Sequence, residues 1–181
     1  MKSDDVLLIG IKEGDQRALE DLYKKYYYRL CDFAFHYVRS FELTEEVVSD
    51  VFLKIWRNRD SISATGKFKA YLYTAIRNQA LNYIKKDQNR NLFESLEDLD
   101  QTIISEKYHP EQELLFKEFK NSIEVFINTL PPRRRLVFKL SRLEGFTYRE
   151  IAEIMSISVS TVQNQMVEAV RQLGSYAMID K

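Results

Sequence analysis

The sequence predicts an all-α protein built as two small helical domains joined by an acidic linker, and three observations predict it. Only five Gly and three Pro occur in 181 residues, while helix-forming Leu, Ile, Ala, Glu, Lys and Arg dominate, which disfavours loop-rich and all-β folds. Apolar residues recur at three- and four-residue steps through most of residues 1–87 and 111–173. Charge is segregated: residues 1–90 carry 16 Lys/Arg against 13 Asp/Glu, residues 91–113 one against seven, and residues 114–181 ten against seven. A net charge of zero therefore hides two mildly basic blocks around an acidic connector.

The elements follow in order. Residues 5–12 predict a short helix before Gly14. Residues 15–38 predict a long amphipathic helix, with Leu19, Leu22, Tyr23, Tyr26, Leu30, Phe33 and Tyr37 on one stripe. Thr44 offers an N-cap with Glu45 and Glu46 in the first turn, and that helix runs to about Asn58. Residues 59–67 predict a loop, and a further helix runs from about Phe68 to Lys86. These elements form a first domain over 1–87. The linker spans 88–110, rich in Asn, Asp, Gln and Ser. A second domain over 111–181 begins with an apolar stripe at Leu114, Leu115, Phe119, Ile123, Phe126 and Ile127. Leu130-Pro131-Pro132 stops that helix, because proline restricts the residue before it. Another helix starts at Pro132 and ends near Glu144, with Gly145 suited to its C′ position.

Several function classes lack their residues. One cysteine, Cys31, excludes an internal disulfide, and His36 and His109 lack metal-ligand spacing. There is no paired-carboxylate site, catalytic His/Cys pair or phosphate-binding Gly loop, so neither a catalytic site nor a cofactor is expected. The polar N-terminus has no apolar signal-like run and no segment approaches membrane-spanning length, which predicts a cytoplasmic protein.

The strongest local signal lies at Thr147–Leu173. Thr147-Tyr148-Arg149-Glu150 matches a capping box, and Ile151, Ala152, Ile154 and Met155 supply an apolar face. After the short turn Ser156-Ile157-Ser158, a second helix is expected to bury Val159, Val162, Met166, Ala169, Val170 and Leu173. Its other face carries Ser160, Thr161, Asn164 and Arg171, flanked by Gln163 and Gln165. Amides can bond adenine edges and arginine can bond guanine or phosphate, as a helix-turn-helix needs. Arg133, Arg134 and Arg135, one helix earlier, can hold phosphates. A helical hairpin with a solvated polar face is the plainer alternative.

A second candidate surface lies in residues 61–86, 26 residues with five cations and no acid. Tyr71, Thr74, Asn78, Asn82 and Lys85 form a stripe with Arg77 at its edge, opposite Leu72, Tyr73, Ile76, Ala80, Tyr83 and Ile84. Lys67, Phe68 and Lys86 flank it. Cations that track a backbone, aromatics that stack and amides that read base edges suit single-stranded DNA. The alternative is a basic solvated helix. On the helix before it, Glu46, Asp50, Leu53 and Arg57 form a stripe opposite the core positions Val48, Val51, Phe52 and Ile55. An outward Leu53 ringed by charge fits a protein-docking hot spot, or else a single incidental exposed leucine.

In this order the three features resemble the extracytoplasmic-function (group 4) branch of the sigma-70 family, over nearly the whole chain. Residues 44–56 (TEEVVSDVFLKIW) resemble its core-binding region 2.2, and residues 68–86 (FKAYLYTAIRNQALNYIKK) its regions 2.3 and 2.4. Leu130-Pro131-Pro132-Arg133-Arg134-Arg135 and residues 145–152 (GFTYREIA) resemble region 4. The aromatic-rich style is similar to that of Bacteroidetes members. Two positions depart from the usual pattern: Tyr71 stands where Trp is common, and Asp87 follows Lys85-Lys86.

The resemblance implies a sigma-2 helical bundle and a sigma-4 helix-turn-helix. It implies docking of Glu46, Asp50, Leu53 and Arg57 on the clamp helices of RNA polymerase core. It implies engagement of the promoter −10 element by Lys67, Phe68, Tyr71, Thr74, Arg77, Asn78, Asn82, Lys85 and Lys86, with Asn78 at the position that holds a flipped base and loop 59–67 shaping its pocket. Arg133, Arg134, Arg149, Ser160, Thr161, Gln163, Asn164 and Arg171 would read the −35 element, and the second domain would sit on the β flap. An anti-sigma factor, a monomeric free state, and no small-molecule substrate or cofactor are also implied. Fully extended, the 23-residue linker reaches about 75–80 Å, and two turns of duplex between promoter elements span about 70 Å. The rival readings are a LuxR-type regulator, a nucleic-acid enzyme and a pure interaction module. The first is disfavoured because residues 1–90 lack the βα alternation of a receiver domain.

Overall fold

The computed structural model describes residues 2–62, 67–88 and 127–179. The chain divides into two compact units, Met1–Glu94 and Ser95–Lys181. The linker at 88–110 and the apolar stripe at 114–126 lie almost wholly outside the described residues.

In the first unit, α1 (Asp4–Lys12) is capped by Ser3, whose Oγ accepts the Val6 amide, and carries Asp4 and Asp5 in its first turn. It ends in a Schellman motif: the Asp15 amide donates to the Gly10 carbonyl at 2.9 Å and the Gly14 amide to Ile11 at 3.0 Å, with Gly14 at φ 84°. Asp15 then caps α2 (Gln16–Val38) by accepting the Arg17 amide at 2.9 Å. α2 is the hub and packs against α1, α3 (Phe41–Arg57) and α4 (Phe68–Gln88), while α3 also packs against α4. The core interleaves Leu7, Leu8 and Ile11 with Leu22, Leu30 and Phe33, then Val47, Val48 and Ile55, then Leu72, Tyr73 and Ile76. Phe33 and Tyr73 meet edge-on, with centroids 5.0 Å apart. Asp4 ties α1 to α2 by pairing with Lys25 at 2.7 Å and accepting the Tyr26 hydroxyl at 2.6 Å.

Two expectations for this unit are corrected. The N-cap of α3 is Ser40, whose Oγ accepts the Leu43 amide, and Thr44 lies a turn inside the helix, buried. α2 ends with Arg39 in the left-handed region (φ 53°), which turns the chain so that α3 starts at once, and the Phe35 and Phe41 rings close the corner at 5.0 Å. Within the expected loop 59–67, Arg59–Ser61 form a 3-10 turn and the Arg59 guanidinium lies over the Trp56 ring.

In the second unit, α5 (Pro132–Arg142), α6 (Tyr148–Met155) and α7 (Val159–Ile179) pack on one another around Val137, Leu140, Ile151, Ile154, Val162, Met166 and Ala169. Helical backbone at 127–129 precedes α5, and Ile127 and Leu130 join this core. The capping box is complete: the Thr147 amide donates to Glu150 Oε2 at 2.8 Å, and the Glu150 amide to Thr147 Oγ1 at 3.3 Å. Ser156 makes the turn at φ 51°, and Ser158 Oγ accepts the Thr161 amide at 3.0 Å to start α7. α5 stops at Arg142, so Gly145 (φ 72°) takes its left-handed bend a residue beyond C′.

The buried seam of α7 is narrower than its apolar period predicts. Val170 is 51% exposed, and Val159, Val167 and Leu173 are exposed too, because α5 and α6 cover only the Val162–Met166–Ala169 line. Among the described residues, no helix is long and apolar enough to cross a membrane.

Candidate nucleic-acid interface

α4 separates its two faces as the sequence requires. Leu72, Tyr73, Ile76 and Ala80 are buried, while Tyr71 is 54% exposed and Asn78, Asn82, Lys85, Lys86 and Lys67 are exposed. From Tyr71 to Lys85 the stripe runs about 21 Å along the helix. Thr74 and Arg77 are half-buried. The Thr74 hydroxyl donates back to the Ala70 carbonyl at 2.9 Å, and Arg77 Nη1 donates to Asn78 Oδ1 at 3.2 Å. Phe68 does not share this surface: it is 4% exposed and backs Tyr71 from beneath, their centroids 6.0 Å apart. Its aromatic ring is worth more in the core than beside cations in water.

On α3, Leu53 is half-exposed between exposed Glu46 and Arg57, as a docking residue must be. Asp50 is half-buried and turned to α4. Its Oδ2 accepts Gln79 Nε2 at 2.8 Å and the Tyr83 hydroxyl at 2.9 Å, and Lys54 Nζ donates to Gln79 Oε1 at 2.5 Å. Burial, then the bond to Asp50, pushes the Tyr83 hydroxyl up to about 12, so it stays a donor at neutral pH. This network joins α3 to α4, the helix that carries Asn78. The sequence reading missed it, although Gln79 gave a signal: a polar residue at an apolar-period position needs buried partners. Glu42, Glu45, Glu46, Ser49, Asp50 and Tyr83 line an open acidic groove alongside.

In the second unit, Ser160, Gln163, Asn164 and Arg171 are exposed on α7, as are Arg133 and Arg149. Thr161 is half-buried and its hydroxyl lies 2.7 Å from Ser158 Oγ. Arg171 pairs with Glu168 at 2.7 Å, an exposed pair of little stability value that a phosphate can displace. The first turn of α7 has no acid, and its amides favour an anion. The three consecutive arginines diverge. Arg133 faces solvent, Arg134 bonds two glutamines of α7, and Arg135 is spent on the main chain, donating to the carbonyls of Asn128 at 2.6 Å and Leu130 at 3.1 Å. Arg135 is therefore no phosphate clamp: it satisfies helix-end carbonyls left open before Pro131-Pro132.

Two family descriptions match the chain, Sigma-70 region 2 over residues 22–90 and Sigma-70 region 4 over residues 120–173. The chain belongs to the sigma-70 family. Its branch is the extracytoplasmic-function one. It is 28% identical over 173 residues to the ECF RNA polymerase sigma-E factor of Escherichia coli K12, covering 92% of this chain and 90% of that one. It is 29% identical to the ECF RNA polymerase sigma-E factor of Haemophilus influenzae, covering 92% and 91%. Among solved structures, CnrH in complex with the cytosolic domain of CnrY aligns with a TM-score of 0.57 at 19% identity over 99% of this chain and 100% of that one. RpoE of Bartonella quintana, in complex with NepR, aligns at 0.52 with 23% identity over 90% and 99%. Both share the fold. In this sigma factor the region 2 match contains α3, α4 and all but the start of α2, and the region 4 match contains α5, α6 and most of α7. The α3 face, the α4 stripe and the α7 polar face thus all fall inside matched segments.

Proposed function

We propose that this sigma factor directs RNA polymerase core to promoters by dividing the work between its two units. Leu53, Glu46 and Arg57 dock on core, and Asp50 supports that helix from its inner side. The α4 stripe of Tyr71, Asn78, Asn82, Lys85 and Lys86 holds the opened strand of the −10 element, with Lys67 and Arg77 on the backbone. The α7 face of Ser160, Gln163, Asn164 and Arg171 reads the −35 element, with Arg133 and Arg149 on phosphates. It acts as a specificity subunit without chemistry of its own, in the cytoplasm, with an anti-sigma factor as its regulatory partner.

The observation that carries this is the exposed, acid-free α4 stripe lying inside the region 2 match. Energetics support it. Opening costs about 1.4 kcal/mol per base-pair step, and an aromatic stack returns roughly 1–3 kcal/mol per base, so a few captured bases offset a few melted steps without ATP. The test neutralises the stripe with Asn78→Ala, Lys85→Gln and Lys86→Gln together. Permanganate reactivity of the −10 region should fall at least tenfold while co-elution with core stays one to one. Undiminished opening refutes the α4 assignment.

A further inference from the structure

We infer that Arg134 is a positioning residue that fixes the rotation of the DNA-reading helix, rather than a phosphate ligand. The inference rests on the −35 reading proposed for α7.

Arg134 stands in the first turn of α5, half-buried. Its Nε donates to Gln165 Oε1 at 3.3 Å and its Nη1 to Gln172 Oε1 at 3.0 Å. Both glutamines belong to α7 and are themselves half-buried. They are seven residues apart, about 10.5 Å along the helix axis. One rigid guanidinium therefore holds α7 at two points nearly two turns apart, which a single-point cation cannot do.

The rest of the seam explains why two ties matter. Among the described side chains, the buried apolar line of α7 is Val162, Met166 and Ala169. Apolar contact is non-directional and tolerates small rotations. Past Ala169, Val170 and Leu173 are exposed, so Gln172 gives this part of α7 a directional tie where apolar packing is thin. Side-chain tips lie about 5–6 Å from a helix axis, so a 20° rotation moves them by about 2 Å. That displacement breaks a bidentate bond of Asn164 or Gln163 to a base edge, which tolerates only a few tenths of an ångström. Sequence discrimination is what such a rotation removes; charge is not.

The test uses the full chain assembled with core, on a promoter selected by the wild-type holoenzyme from a randomised library, with its −35 element intact or scrambled. Arg134→Ala should reduce the preference for the intact element about tenfold, with binding to the scrambled element and its salt slope unchanged. Arg134→Lys should keep most of that loss. Gln165→Ala with Gln172→Ala, which retains the guanidinium, should reproduce it, and combining them with Arg134→Ala should add nothing. Should Arg134→Ala fail to fold, the glutamine pair carries the test. A phosphate ligand gives the opposite pattern: both DNAs weaken alike, the salt slope flattens by about 0.9, and Arg134→Lys binds as wild type. That pattern, or full discrimination in the glutamine pair, overturns the inference. Wild-type holoenzyme indifferent to the −35 element would instead withdraw the reading of α7 itself.

Discussion

Replacing Gln79 by leucine isolates the hydrogen-bond network between α3 and α4. Gln79 is 8% exposed, donates to Asp50 at 2.8 Å and accepts from Lys54 at 2.5 Å. Each bond involves a charged partner and is worth about 1.5–3 kcal/mol net. Three effects reduce the loss: Tyr83 still serves Asp50, water reaches exposed Lys54, and leucine gains about 1 kcal/mol by apolar burial. The expected destabilisation of the first unit is therefore about 2 kcal/mol. Trp56, the only tryptophan, lies in the last turn of α3, so urea unfolding followed by its fluorescence reports this unit. With a slope near 1–2 kcal/mol per molar, the midpoint should fall by about 1–2 M. A midpoint shift under about 0.3 M for Gln79→Leu refutes the network as described.

Other outcomes follow from the same geometry. Leu53→Asp should weaken binding to core at least 30-fold by surface plasmon resonance, a hot-spot loss of about 2 kcal/mol, while urea stability stays within about 0.5 kcal/mol because the side chain is half-exposed. Gly10→Ala gains about 1 kcal/mol of helix propensity, but its Cβ would meet Ala18 Cβ at 2.9 Å, so a net loss of about 1 kcal/mol is expected in the same unfolding assay. The Cys31 thiol is pushed up to about 11, by burial first and by the charges of Glu45 and Asp32, with the Tyr27 bond opposing. A raised pKa keeps the neutral thiol at pH 8, so a disulfide reagent should label the native chain about 100-fold more slowly than the urea-unfolded one.

The helical architecture was legible because its causes are local. The stripes Leu22–Tyr26–Leu30–Phe33 and Leu72–Ile76–Ala80 are buried, and the Thr147–Glu150 box forms with both hydrogen bonds. The exposed face of α4 was legible for the same reason, since periodicity assigns sides. What was not legible depends on partners distant in the chain. Thr44 has the local chemistry of a cap, but the left-handed bend at Arg39 and the Phe35–Phe41 contact start α3 earlier, and Thr44 is buried. Period alone put Val170 and Leu173 in the core, but it cannot say how wide a seam α5 and α6 offer. Phe68 counts as an aromatic beside cations in sequence and as core in space. The partners of Arg134, Asp50 and Gln79 lie 25 to 38 positions away, and although the pattern marks Gln79 as out of place, no local pattern names them.

The central claim is that this chain confers promoter-specific initiation on RNA polymerase. Core enzyme stripped of every other sigma factor, mixed with the purified chain and a randomised promoter library, tests it most directly by sequencing the 5′ ends of the transcripts. The account predicts RNA only when the chain is present, from templates enriched in two motifs roughly two helical turns apart, with the upstream motif lost on substitution of Asn164 and Gln163. Transcripts no more frequent or selective than with core alone would contradict it.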